Sequence, residues 1–466
     1  MFPFEAKHPE NRTAVITDNG SSFTYGNIND FIEEIQKLVP SRALVFCLSQ
    51  NTIGSLLGYI SFISNSIVPM MLYYGIDKGF LERLITNYRP QYIWLPIDRL
   101  HEFPNYRIVI SKYHYALVCL EENNIFMLHP DLALLLTTSG STGSSKFVRI
   151  SYENLKINTQ SISSYLLIDQ HERPITTLPM WYSYGLSIIN SHLFKGSTLL
   201  LTTKAITEKD FWEFLKNQKA SSLSGVPYTF QILKNLKFTT ISMPSLKTLT
   251  QAGGKLNNDL STYISEYAIK SGKRFFVMYG QTEATARMSY LAPEYSLKKN
   301  GSIGRPLPGA EFNLIAENGN EIKETDCVGE LVYKGKNVCM GYCNSGNDLI
   351  NGDENRGVLF TGDLAKKDKD GFYFITGRKN RFIKLFGNRL SLDEMEDLLT
   401  NQISHCACTG SDDKLSIFIT DKTRLNEIKN YISNKTGIRS SAISVIYRDE
   451  IPKTSTGKIN YSALEA

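Results

Sequence analysis

The chain has 466 residues, 51 of them basic and 46 acidic, giving a net charge of +5, and is 42% hydrophobic and 21% charged. Those proportions describe an ordinary globular protein long enough for a large core and more than one domain. The small basic excess, with no dense basic run interleaved with aromatics, excludes a nucleic-acid footprint.

The opening MFPFEAKHPENR lacks a basic region followed by an apolar stretch, so it is not read as a signal peptide. Residues 30–38 carry helical periodicity, 43–48 read as a buried strand and 52–61 as a helix. Such alternation predicts an α/β layered architecture. The most apolar segment, residues 56–74, is broken by Ser61, Ser64, Asn65, Ser66 and Pro69. It predicts a buried helix running into a strand, not an integral membrane span. The seven cysteines are odd in number and scattered, and neither Cys339 with Cys343 nor His405 with Cys406 has zinc-site spacing. They read as small core residues in a reducing cytoplasm.

Residues 132–136 form an apolar strand that gives way to Thr137, Thr138, Ser139, Gly140, Ser141, Thr142, Gly143, Ser144, Ser145 and Lys146. Glycines let backbone N–H groups converge on a ligand, and hydroxyls with one cation suit nucleotide phosphates. The spacing is not that of a Walker A loop, and a flexible linker would not follow a buried strand. A short Gly-rich match also arises without any ligand, so both readings stand at this point.

Residues 176–188 (TTLPMWYSYGLSI) read as a strand-to-helix junction with the aromatics Trp181 and Tyr182, and 221–228 (SSLSGVPY) as a turn through Gly225 and Val226. Residues 249–256 hold Gly253, Gly254 and Lys255. A strand at 275–278 ends in Tyr279, Gly280, Gln281, Thr282 and Glu283. There an aromatic can stack on a base, a hydroxyl can bond a phosphate and a carboxylate can hold Mg²⁺. A capped turn with a solvated Glu is the plain alternative. Residues 301–309 and 329–342 show short strands with glycine punctuation, and 359–364 contain Thr361, Gly362 and Asp363. Residues 366–370 (KKDKD) read as a surface turn. Beyond them the spacing predicts a helix at 392–399, a strand at 415–420, a helix at 424–434 and a strand at 443–447. The chain then runs through 451–459 (IPKTSTGKI), where Lys458 would ordinarily be a basic surface residue.

Taken together these stretches resemble the adenylate-forming superfamily of AMP-dependent ligases. That superfamily includes acyl- and aryl-CoA synthetases, luciferases and the adenylation domains of peptide synthetases. The loop resembles T-S-G-[ST]-T-G-x-P-K-G, residues 279–283 match Y-G-x-T-E, and 361–363 match T-G-D. Residues 377–396 (GRKNRFIKLFGNRLSLDEME) and 452–458 match the hinge segment and the terminal P-[RK]-T-x-[ST]-G-K. Departures are Ser145 for proline, Phe147 for glycine, Tyr228 for a hydroxyl residue and Asn380 for aspartate. The segment 181–185 is similar to the acyl- and aryl-CoA synthetase version, 4-coumarate–CoA ligase-like, and lacks the Asp that amino-acid-adenylating relatives use.

The resemblance implies a large multi-layered α/β N-terminal domain with a β-rich connecting subdomain, residues 1–376, and a small mobile α+β C-terminal lid, 377–466. It implies ATP-dependent adenylation of a small-molecule carboxylic acid, then transfer to the thiol of coenzyme A. Thr138, Ser139, Gly140, Ser141, Thr142, Gly143 and Lys146 would hold the pyrophosphate portion of ATP. Thr282 would take the α-phosphate, and Glu283 the Mg²⁺. Gly253, Gly254, Lys255 and Tyr279 would flank adenine, and Asp363 with Arg378 would hold the ribose. Trp181, Tyr182, Gly225 and Val226 would border the acyl pocket. Lys458 would be the catalytic lysine, and residues 384–389 would face the site after the lid turns. Three alternatives remain: loading of a carrier-protein phosphopantetheine, an adenylate-dependent reaction without thiol chemistry, and a nucleotide-binding protein without catalysis.

Overall fold

The computed structural model describes residues 8–120, 125–137, 146–379, 381–385, 388–400, 402–403, 405–411, 414–436, 438–454 and 457–465. The sequence expectations for Thr138, Ser139, Gly140, Ser141, Thr142, Gly143, Ser145 and Asn380 lie outside them, as do Phe386 and Gly387 of the 384–389 segment.

Period-two burial builds the large domain. In the strand Leu44–Ser49, Val45 and Cys47 enter one core while Leu44, Phe46 and Leu48 enter another. A strand buried on both faces must have helices on both sides. It lies in an eight-stranded sheet whose inner members, Leu44–Ser49, Val68–Tyr73, Tyr92–Pro96 and Leu132–Thr137, run parallel. The helix Lys78–Tyr88 covers its outer face through Leu81, Leu84 and Tyr88. A second, nine-stranded sheet has a parallel centre that includes Leu199–Leu201, Ser222–Gly225, Thr248–Gln251 and Arg274–Tyr279. Its outer face is packed by Phe211, Phe230, Leu233, Leu260 and Ile264.

Between the sheets lie the helices Tyr25–Leu38, Ile53–Ser64, Tyr152–Tyr165 and Ser183–Phe194. Ser183–Phe194 is buried along nearly its whole length; it carries no Asp, Glu, Lys or Arg, and its buried Asn190 and His192 are hydrogen-bonded to Tyr59 and to the Ile188 carbonyl. Capping boxes at Thr24 with Asn27 and at Ser151 with Asn154 fix where two of these helices begin. The segment expected to be a helix running into a strand is Ile53–Ser64 followed by Val68–Tyr73.

A five-stranded antiparallel sheet, including Val328–Lys334, Val358–Lys367 and Tyr373–Arg378, forms the connecting subdomain. The smaller C-terminal domain has its own core around Ile383, Leu399, Ile417, Ile428 and Ile432. Its order differs from the expected helix, strand, helix, strand. A hairpin, Phe382–Leu385 with Asn388–Ser391, precedes the helix Leu392–Thr400, and the strand Cys406–Ser411 pairs with Lys414–Ile419. Small residues such as Ala407 and Cys408 give that strand little propensity; pairing and burial on the sheet impose it. The cysteine reading also needs correction at Cys327, which is exposed, and Cys406, which is half-buried; the other five are buried. Among the described residues no helix is long and apolar enough to cross a membrane.

Candidate active site

The strand Arg274–Tyr279 ends at the rim of the nine-stranded sheet, and the following turn returns on itself. A side chain at Gly280 would meet the Ala286 carbonyl oxygen at 1.8 Å, so only glycine permits the return. The turn sets Thr282 and Glu283 side by side. The Thr282 hydroxyl lies 3.1 Å from Ser183 Oγ, and Tyr342 donates to Glu283 Oε1 at 3.0 Å. The Lys146 ammonium stands 3.4 Å from the centroid of the Tyr342 ring, a close cation–π contact. The cation that ends the Gly/Ser loop and the Glu283 carboxylate therefore share one aromatic residue.

Asp363, on the strand Val358–Lys367, is 5% exposed. Tyr279 donates to it, Gln281 Nε2 donates at 3.0 Å, and Arg378 Nε lies 3.3 Å away. Burial, then the Asp363 charge, pushes the Tyr279 phenol well up, so it stays a neutral donor.

Lys458 reaches this cluster from the far end of the chain. Burial lowers its ammonium to about 8, Arg378 adds to the lowering, and Glu283 and Asp363 oppose it. The segment around it is seated on the large domain: a side chain at Gly457 would be 3.4 Å from Val226 Cγ2, and Lys453 Nζ stands 3.6 Å from the Tyr228 ring centroid.

Tyr182, Val226 and Gly253 also meet. A side chain at Gly253, whose φ is +87°, would lie 2.8 Å from Tyr182 Oη and 3.0 Å from Val226 Cγ1. Gly225 precedes Val226 at the end of the strand Ser222–Gly225, and Trp181 packs beside Tyr73 with centroids 5.6 Å apart. Gly254 and Lys255 are exposed at the rim. Gln281, Ser183 and Tyr342 were not singled out from sequence. Gln281 occupies the variable place of Y-G-x-T-E, and Ser183 and Tyr342 lie in other segments, so only the fold brings them in. Among the described residues no group of three or more His, Cys, Asp or Glu converges as a metal cage. A lone carboxylate still fits Mg²⁺, which takes most of its ligands from water and phosphates.

The AMP-binding enzyme family model matches residues 102–343. The long-chain-fatty-acid–CoA ligase of Haemophilus influenzae is 25% identical over 449 residues, 91% of this chain and 77% of that protein. The 2-succinylbenzoate–CoA ligase of Bacillus licheniformis is 30% identical over 290 residues, 61% of this chain and 58% of that protein. In fold, o-succinylbenzoate CoA synthetase from Bacillus subtilis, solved with its acyl-adenylate, superposes with a TM-score of 0.78 at 20% identity. That superposition covers 98% of this chain and 95% of the other. The chain belongs to the AMP-binding enzymes, the adenylate-forming superfamily.

Proposed function

We propose that the chain joins a small carboxylic acid to AMP using ATP, releases pyrophosphate, and passes the acyl group to the thiol of coenzyme A. The observation that carries this reading is Lys458 among Glu283, Asp363 and Arg378, a cation delivered by a separate domain into the charged centre of the large one. A carboxylate is a poor electrophile, and esterifying it to AMP supplies a leaving group. The acid oxygen attacks the α-phosphorus as the bond to pyrophosphate breaks, and the site must align these atoms and offset their charge.

Lys458 balances charge between the carboxylate and the α-phosphate. Thr282, oriented by Ser183, donates to the α-phosphate oxygens. Glu283 would hold Mg²⁺, whose charge neutralises phosphate oxygens when bound. Lys146 and residues 138–143 take the leaving pyrophosphate. Tyr279, Gly253, Gly254 and Lys255 flank adenine, and Asp363 with Arg378 holds the ribose. Tyr182, Val226, Gly225 and Trp181 border the acid. In the second step residues 377–466 turn as a lobe, presenting 384–389; the thiolate attacks the acyl carbonyl and AMP leaves. All seven cysteines are free, which supports a reducing cytoplasm as the working compartment.

The test is pyrophosphate release over a panel of carboxylic acids, followed by mass detection of acyl-CoA. Release requiring both ATP and acid is expected. ATP binding without release from any acid leaves a nucleotide-binding protein. Acyl-AMP that accumulates without acyl-CoA transfers the acceptor role to a carrier-protein phosphopantetheine.

A further inference from the structure

Two residues past Glu283 the backbone turns against its preference. Thr285 and Ala286 both adopt positive φ, +59° and +114°. Such backbone is costly outside glycine and persists where the surroundings fix it. One side chain brackets the pair. Asn337 is 2% exposed, and its amide nitrogen donates to the Ala284 carbonyl at 2.8 Å and to the Arg287 carbonyl at 2.8 Å. Those two residues stand on either side of Thr285 and Ala286. Both N–H groups of the amide are therefore used on this turn.

The amide is itself held. Tyr333 donates to Asn337 Oδ1 at 2.8 Å, which fixes the end of the amide that faces the turn. Tyr333 is fully buried, and burial raises its phenol, so it stays a donor. Asn154 Nδ2 donates to the Lys336 and Val338 carbonyls at 2.7 and 2.8 Å. The backbone on both sides of Asn337 is thereby pinned to the start of the helix Tyr152–Tyr165. Main-chain groups meet the turn as well. Thr285 Oγ1 donates to the Asn337 carbonyl at 2.7 Å, and Cys339 N donates to the Glu283 carbonyl at 2.8 Å. Five residues after Asn337, Tyr342 donates to the Glu283 carboxylate.

A buried amide can be no more than a tie across a core, and its position here argues for more. Residues 337–342 grip the turn at the Glu283 carboxylate, at the Glu283 carbonyl and on both sides of the strained pair. Glu283 directly precedes the bonded Ala284, and Thr282 precedes Glu283. Resting on the acid-activation reading above, we propose that Asn337 is a positioning residue for adenylation: it holds the turn after Thr282 and Glu283 in its strained form, and so sets where that hydroxyl and that carboxylate meet the nucleotide. It acts through the turn and not on the substrate. Without the bracket Thr285 and Ala286 relax toward negative φ, and the Thr282 and Glu283 side chains move away from where charge develops at the α-phosphate. Misplacement of such groups is felt in the rate of the chemical step more than in ground-state binding.

The test uses the whole chain with Asn337→Ala, Asn337→Gln and a control from the same segment, Val338→Ala, which trims a buried apolar side chain. Two readouts are taken below the unfolding range of every variant. One is the Mg²⁺ dependence of ATP binding, by calorimetry without acid. The other is kcat and KM for ATP in pyrophosphate release. Asn337→Ala should lower kcat by on the order of tenfold to a hundredfold, with KM for ATP little changed at saturating Mg²⁺. It should also raise several-fold the Mg²⁺ needed for half-maximal ATP binding. Asn337→Gln, which keeps the amide, should recover part of both. Val338→Ala should lower Tm and move neither. Asn337→Ala with the kcat and Mg²⁺ dependence of the wild type overturns the proposal, as do losses of equal size in Val338→Ala. Should Asn337→Ala not fold, Tyr333→Phe decides, because it keeps the ring and frees the amide to turn over. It should show the same changes at smaller size, and wild-type values in it overturn the proposal. A raised Mg²⁺ requirement in Asn337→Ala, with no pyrophosphate from any acid in the wild type, would remove the acid-activation reading and leave the positioning of Glu283 standing.

Discussion

At Lys458 burial and neighbouring charge pull in opposite directions, and the balance sets a pH window. The folded ammonium titrates at about 8 against an ordinary 10.5. Between those values the unfolded chain binds the extra proton, so this residue's contribution to stability rises as pH climbs through the window. Adenylation has the opposite sign, because it needs the charged form. Pyrophosphate release in kcat/KM should therefore decline above pH about 8 without a matching decline in Tm from this group. Lys458→Arg should move that decline upward, and a decline unmoved by the arginine would assign it elsewhere. Lys458→Ala should lose on the order of a hundredfold or more in adenylation and still convert supplied acyl-AMP plus thiol to thioester. Equal loss of both steps would contradict a turning lobe. Tyr342→Phe keeps the ring under Lys146 but removes the hydroxyl from Glu283. It should weaken ATP use by about tenfold, the worth of one hydrogen bond to a charge, with Tm little changed. Tyr279, Thr282, Glu283 and Asp363, which the fold gathers at the candidate site, were legible because short patterns such as Y-G-x-T-E are contiguous. Gln281, Ser183 and Tyr342 were not, since their roles arise only where separate strands and turns meet.

Elements with a strong period were legible for a similar reason. The strand at 443–447 and the helices near 392 and 425 carry their burial pattern within a few residues. The strand Cys406–Ser411 does not, because its pairing partner lies beyond the next turn and supplies the order that CACTGS lacks. One side chain ties these C-terminal elements together. Arg381 bonds Asp393 and Tyr461, donates to Glu396 Oε1 at 2.9 Å and reaches the Cys408 carbonyl at 2.7 Å. Removing it leaves two carboxylates half-buried without their cation. Arg381→Met should therefore destabilise the C-terminal domain by about 3 kcal/mol or more, read as a lower unfolding midpoint for that domain in denaturant. Wild-type stability would mean that the carboxylates find other partners. At the preceding turn, Gly280→Ala should lower Tm and adenylation together, because the added methyl group faces backbone that cannot give way.

At the scale of the whole molecule, the two domains meet where Lys453 lies over Tyr228 and Gly457 packs on Val226. Tyr228 replaces a hydroxyl residue of the resembled pattern, and its partner is far away in sequence, so the contact could not be read from either segment. In the proposed function it would hold the terminal segment in the arrangement that brings Lys458 to the nucleotide site. Tyr228→Ser should reduce adenylation several-fold, in keeping with about 1 kcal/mol for a cation–π pair, and should not slow thioester formation from supplied acyl-AMP. Slowing of both steps alike would mark Tyr228 as a pocket residue and not a latch.

The helix Ser183–Phe194 lies between two sheets and directly follows Trp181 and Tyr182, so in the proposed function it backs one wall of the acid pocket. In heavy water its amides belong with the last to exchange, because opening them requires parting both sheets. The wall therefore has no low-lying alternative shape to offer a poorly fitting acid. Selectivity in such a pocket is inherited by substitution, one side chain at a time, and not by flexing. Laboratory evolution toward new acids should accordingly collect its changes at the inward positions of this helix and of the facing strands.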